Sequence, residues 1–203
     1  MKTISKLALG ALFFSGAFLS SCSSDNNNTP AAEASIYQRL GGTTLVDDPD
    51  NSDPTVKIEA GRLAYRKVVN TAIGLIVADF PSATNPAGAS GNLSPHFGQL
   101  IAEVGANNTT NLAELSDNLT DFFSHNTGGT SAVNNYTGMD MVTAHNPALN
   151  SRMGVKATTA SYDKFEGYVG LAAQQNGVAA DTDLYADVVA VLESLRGQIV
   201  QAP

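Results

Sequence analysis

Residues 59–80 read EAGRLAYRKVVNTAIGLIVADF, and their apolar positions recur at intervals of three and four. Leu63, Val68 or Val69, Ala72, Ile73, Ile76 and Val77 share one side of a 3.6-residue period, which predicts a long helix with a single buried stripe. Phe80-Pro81 ends it, because the proline ring cannot continue a helix. Further along, residues 111–125 (NLAELSDNLTDFFSH) place Leu112, Leu115, Leu119, Phe122 and Phe123 on one side, with Gly128-Gly129 as the stop. Residues 162–175 and 183–200 repeat the pattern, the last carrying Leu184, Val188, Val191, Leu192, Leu195 and Ile199. No stretch alternates with the period of two that marks a strand. The expected class is all-α.

Residues 82–93 and 47–53 are rich in turn formers and read as solvent loops inserted into a helical bundle. There is no internal repeat and no second composition regime. With 203 residues, 43% hydrophobic and 15% charged, the chain has enough apolar material for the core of one ordinary domain.

The charge balance is 11 basic against 19 acidic residues, a formal −8, with no cluster of Lys and Arg. That lacks the electrostatic footprint of a phosphate-tracking surface, so nucleic acid is excluded as a partner. A single cysteine, Cys22, permits no internal disulfide, no cysteine zinc cage and no covalent haem attachment. Tryptophan is absent, and the three histidines are His96, His125 and His145.

Lys2 and Lys6 precede an apolar run from Leu7 to Leu19, which is shorter than the roughly 20 residues of a membrane span and reads as an export signal. Leu19-Ser20-Ser21-Cys22 resembles a bacterial lipobox, in which the cysteine thiol is lipidated and becomes the new N-terminus. Residues 1–21 are therefore the expected signal peptide and 22–34 a polar, periodless tether. Residues 35–203 are the folded body, held outside the cytoplasm by a lipid on the periplasmic side or the cell surface.

Common catalytic signatures are missing. There is no GxSxG nucleophile elbow, no HExxH, no P-loop and no dinucleotide fingerprint. Asp48, Asp50, Ser52 and Glu59 match positions 1, 3, 5 and 12 of a calcium loop, but Asp53 stands where that loop needs glycine and Pro54 follows it. An acidic surface insertion is the alternative reading.

His145 has a more distinctive context. Tyr136-Thr137-Gly138-Met139-Asp140-Met141-Val142-Thr143-Ala144-His145 resembles the proximal-histidine segment of group 1 truncated haemoglobins. Ser35 to Gly42 resembles that family's opening, and Leu93-Ser94-Pro95-His96-Phe97 its segment ending in the haem-packing phenylalanine. Leu115 to Phe123 with Gly128-Gly129 resembles its distal helix. Gly154-Val155, Phe165, Gly177-Val178 and Leu195 to Val200 continue the likeness. The resemblance implies a two-over-two helical sandwich binding noncovalent haem b, with His145 on the iron. Ile73, Phe97, Leu115, Leu119, Phe123, Met141 and Phe165 are its implied pocket walls. His96 and His125 are expected at the surface or on the propionate side, with either as a sixth ligand left open. Independently of the family, a neutral imidazole on a helix needs only an apolar, macrocycle-shaped surround to serve as a haem ligand.

The chain departs from the family on the distal side. One alignment places Ala72-Ile73 where the family carries Phe-Tyr, with Leu115 and Leu119 as the distal-helix pair; this pocket has no hydrogen-bond donor. The other places Ala64-Tyr65 there and restores the hydroxyl. A donor stabilises partly charged bound dioxygen by about 1.5–3 kcal/mol, so the first alignment predicts weak oxygen retention relative to carbon monoxide or nitric oxide. The expected function is reversible binding of a diatomic gas. A globin-derived interaction module without haem, and a haem-handling or redox enzyme such as a nitric-oxide dioxygenase or peroxidase, are the alternatives.

Overall fold

The computed structural model describes residues 33–78 and 92–202. Cys22, the signal peptide, most of the tether and the Phe80-Pro81 stop lie outside them. Within them the chain is mostly helical: α1 (Ile36–Arg39), α2 (Ala60–Ala78), α3 (Ser94–Gly105), α4 (Thr110–Asn126), α5 (Met141–Ala144), α6 (Thr159–Gln175) and α7 (Asp183–Ile199). Four short strands join them. β1 (Leu45–Asp47) and β2 (Lys57–Glu59) form an antiparallel hairpin, and β3 (Ala157–Thr158) pairs in parallel with β4 (Val200–Ala202). Among the described residues no strand exceeds three residues, so alternation has too few positions to show.

α2 is the central element and packs against both α4 and α6. Its buried stripe is Gly61, Tyr65, Val69, Ala72 and Ile76, rotated from the expected one. Val77 is half exposed, and Ile73 only partly buried. The rotation has a polar cause. Tyr65 is bulky and amphipathic, and it is accepted inside because its hydroxyl donates to Thr127 Oγ1 at 2.7 Å. Its ring stacks between Tyr37 and Phe123. Buried tyrosines need such a partner, and a hydropathy stripe does not report one.

Small residues let α2 and α6 approach. Ala72 meets Val169, Ala172 and Leu192, with Val68, Leu75, Phe123 and Phe165 around them. A second cluster of Ala157, Tyr162 and Ile199 is flanked by Met141 and Leu195, and Tyr162 donates to the Leu192 carbonyl across α6 and α7 at 2.6 Å. Arg196 covers the Tyr162 ring at 4.8 Å and pairs with Asp163, Glu166 and Glu193.

A buried polar knot joins the N-terminal hairpin to the loop after α4. Asn134 is fully buried, and its two Nδ2 hydrogens are shared among Tyr37 Oη, Glu59 Oε2 and Ser131 Oγ at 2.9–3.0 Å. Arg62 reaches the Asn134 side-chain oxygen, the Val133 carbonyl and Asp121. Gly128 closes α4 with φ +106°, and a Cβ there would stand 2.5 Å from Ser35 Oγ, so a side chain is excluded twice over.

The acidic loop is the turn of the β1–β2 hairpin and not a calcium loop. Asp48 and Asp50 both pair with Arg66 of α2, while Glu59 points the other way and accepts from Tyr37, Ser131 and Asn134. The would-be ligands are thus divided between two networks. In the Ser82 to Leu93 segment, the described end is interior, since Asn92 and Leu93 are both buried. α3 was not foreseen. It starts without a polar N-cap, with Pro95 in its first turn and Asn92 Oδ1 accepting from the Ser94 N–H at 2.8 Å.

Candidate functional site

Asp140 begins the local structure that positions His145. Its side chain caps α5 by accepting from the Thr143 N–H at 3.0 Å, and α5 runs for one turn. His145 is therefore the C-cap residue of this short helix. Asn146-Pro147 explains the stop, because the residue before proline is held out of the α region. At this position the imidazole Nδ1 lies 2.9 Å from the Met141 carbonyl one turn back. Nδ1 therefore carries the proton, since a carbonyl can only accept. Nε2 is left with a lone pair. Burial pushes the His145 pKa down, and the Met141 bond only partly offsets this. The ring is held neutral, oriented and ready to ligate, the arrangement that a main-chain carbonyl imposes on metal-binding histidines.

His145 lines a cavity of about 380 Å³. Six of the seven residues expected around it share its walls: Phe97, Leu115, Leu119, Phe123, Met141 and Phe165. They come from α3, α4, α5 and α6, which explains why the Leu and Phe face of α4 stays only half-buried. Ile73 is not among them. It lines a second cavity of about 740 Å³ together with Tyr65. Phe97, Leu115, Leu119, Phe123 and Phe165 border both. Neither distal alignment therefore delivers its residue to the His145 cavity, and the Tyr65 hydroxyl proton is already committed to Thr127.

Sequence reasoning missed several wall residues. Tyr136, Met153, Tyr162, Asn111, Glu114 and Asn118 also face the cavity. Tyr136 was quoted only as part of a motif, and its hydroxyl donates to the Met139 carbonyl at 2.6 Å. Asn111, Glu114 and Asn118 flank the apolar positions of α4, where a moment argument assigns polar residues to solvent.

The other histidines divide. His125 is exposed in the last turn of α4 and lines neither cavity. His96, expected at the surface or on the propionate side, is buried rather than at the surface and lines the same cavity as His145. One of its ring nitrogens bonds to the Val155 main chain, and Nδ1 is buried without a partner. Burial lowers its pKa, and the nearby His145 lowers it further.

Both histidines are thus neutral in the fold and titrate near 6.5 when unfolded. The unfolded chain then binds more protons as pH drops through that value, so stability present above about pH 6.5 is lost progressively below it. Urea unfolding of the ligand-free protein should show the midpoint falling between pH 7 and pH 5. A midpoint that rises over that interval would contradict the burial of both rings.

Among the described residues no group of three or more His, Cys, Asp or Glu is arranged to hold a metal ion. The cavity residues fit a haem by their chemistry: an oriented neutral imidazole, mainly aromatic and aliphatic walls, and a cavity within the 300–1,000 Å³ range of ligand sites. Comparison with protein-family models and with curated proteins finds no match for the chain.

Proposed function

We propose that the chain is an exported, lipid-anchored haem protein of the truncated-haemoglobin type that reversibly binds a diatomic gas. The observation that carries the reading is His145, whose Nδ1–H is fixed by the Met141 carbonyl and which lines a largely apolar cavity. When bound, haem supplies the iron atom to which oxygen, carbon monoxide or nitric oxide binds. His145 would hold that iron, with its basicity raised by the Met141 bond. Phe97, Phe123 and Phe165 would pack the macrocycle and exclude water, and Met141 and Leu115 would fill its edges. The two-over-two arrangement belongs to the same proposal, with α2 and α4 facing α6 and α7. Tyr65 and Ile73 line the neighbouring cavity, so neither would supply a donor to the bound gas.

The test is a titration of the full chain, purified in detergent, with haemin. One equivalent should produce a Soret band that shifts on reduction and addition of carbon monoxide. A chain that binds no haem refutes this reading and favours the interaction module. For the anchor, Cys22→Ser should move the protein from the membrane fraction to the soluble fraction of cells. Continued membrane association would sink the lipid attachment.

A further inference from the structure

His96 stands in the first turn of α3, about nine-tenths buried, at the wall of the cavity that His145 lines. With one ring nitrogen engaged by the Val155 carbonyl, Nδ1 is the unprotonated one and carries a lone pair. It is buried and has no partner. Burying an acceptor without a partner forfeits its hydration for nothing in return, and each such group in a folded protein calls for an explanation. A lone pair of this kind accepts a hydrogen bond or binds a metal; it cannot donate.

His145 shows the same construction. Each ring is held by one main-chain carbonyl, Met141 for His145 and Val155 for His96, and on His96 the second nitrogen is buried without a partner. That is the orienting arrangement of metal-binding imidazoles. The two come from different elements, α3 and the end of α5, and line the same cavity. Two imidazoles are too few for a tetrahedral zinc cage, and among the described residues no group of three His, Cys, Asp or Glu is arranged to complete one. They suit an iron whose other ligands belong to a porphyrin.

We infer that His96 is a second imidazole ligand to the iron held by His145, so that the gas competes with a protein side chain for its site. The inference rests on the haem reading above. The full chain loaded with haemin, without added ligand, should give a low-spin ferric signal by electron paramagnetic resonance and sharp, resolved visible bands when reduced. His96→Ala should convert it to high spin and speed carbon monoxide association by about tenfold or more, because the open site is no longer a minor population. His125→Ala should stay low-spin. His96→Gln preserves the side-chain volume and guards against misfolding, and the wild-type spectrum needs no variant at all. A high-spin wild-type protein overturns the inference while leaving His145 as the haem ligand, as does a low-spin signal that survives both His96 substitutions. Failure to bind haem removes the haem reading and the inference together.

Discussion

Replacing His145 with glycine is expected to weaken haem binding by at least about 100-fold, since losing even an outer-sphere partner of a metal ligand costs 10–100-fold. The Soret response to carbon monoxide should disappear with it. The substitution leaves a space the size of imidazole beside the Met141 carbonyl, which held the lost ring through its N–H at 2.9 Å. Free imidazole at millimolar concentration should enter that space, donate to the same carbonyl and restore the spectrum. This rescue separates ligation from structure, because His145 is a C-cap residue after a one-turn helix and its loss will barely perturb the helical core. Haem affinity and spectrum unchanged in His145→Gly would exclude the residue as ligand.

Asn134→Ala should be the most damaging substitution away from the cavity. The side chain is fully buried and makes four hydrogen bonds, to Tyr37, Glu59, Ser131 and Arg62. Alanine removes all four and leaves the Glu59 carboxylate and the Tyr37 hydroxyl partly unsatisfied, along with a small void. Stranding buried polar partners costs about 1–3 kcal/mol and a buried charge more, so a loss of about 3 kcal/mol is expected. In a domain of this size that lowers Tm by about 6–12 °C, measured on the haem-free chain by circular dichroism. A loss under about 1 kcal/mol would show that the knot is solvated. The same network holds the Glu59 carboxyl below its usual range: burial alone would raise it, but the hydrogen bonds from Tyr37, Ser131 and Asn134 and the charge of Arg62 outweigh that. Tyr37 is pushed up to about 12, first by burial and then by its bond to Glu59.

The four long helices were legible because each repeats its apolar signal over four or five turns. α4, α6 and α7 begin within three residues of their expected starts, and α6 and α7 carry Thr158 and Thr182 as N-caps. α3 was not legible, because its first turn lacks a capping side chain and Pro95 there signals a helix start as readily as a turn. In the site, Phe97, Leu115, Leu119, Phe123, Met141, Phe165 and His145 are legible from the sequence and share one cavity, whereas Ile73 faces the neighbouring one. The difference is rotational. Alignment along a helix sets position, but a turn of one residue swings a side chain by 100°, and only packing against other elements decides where that turn settles.

By itself the sequence determined the all-α class, the long helices and the oddity of the segment ending at His145, since periodicity and local spacing are properties of contiguous residues. Tertiary structure alone decided which face of α2 is buried, because the Tyr65 hydroxyl needed Thr127, 62 positions away. It also decided that Glu59 and Asp48 belong to separate networks, since their partners lie on elements remote in the chain. Finally, it brought His96 from α3 to the cavity of His145. Burial and hydrogen-bond satisfaction depend on neighbours that chain spacing does not encode, and that is where sequence reading and structure diverge.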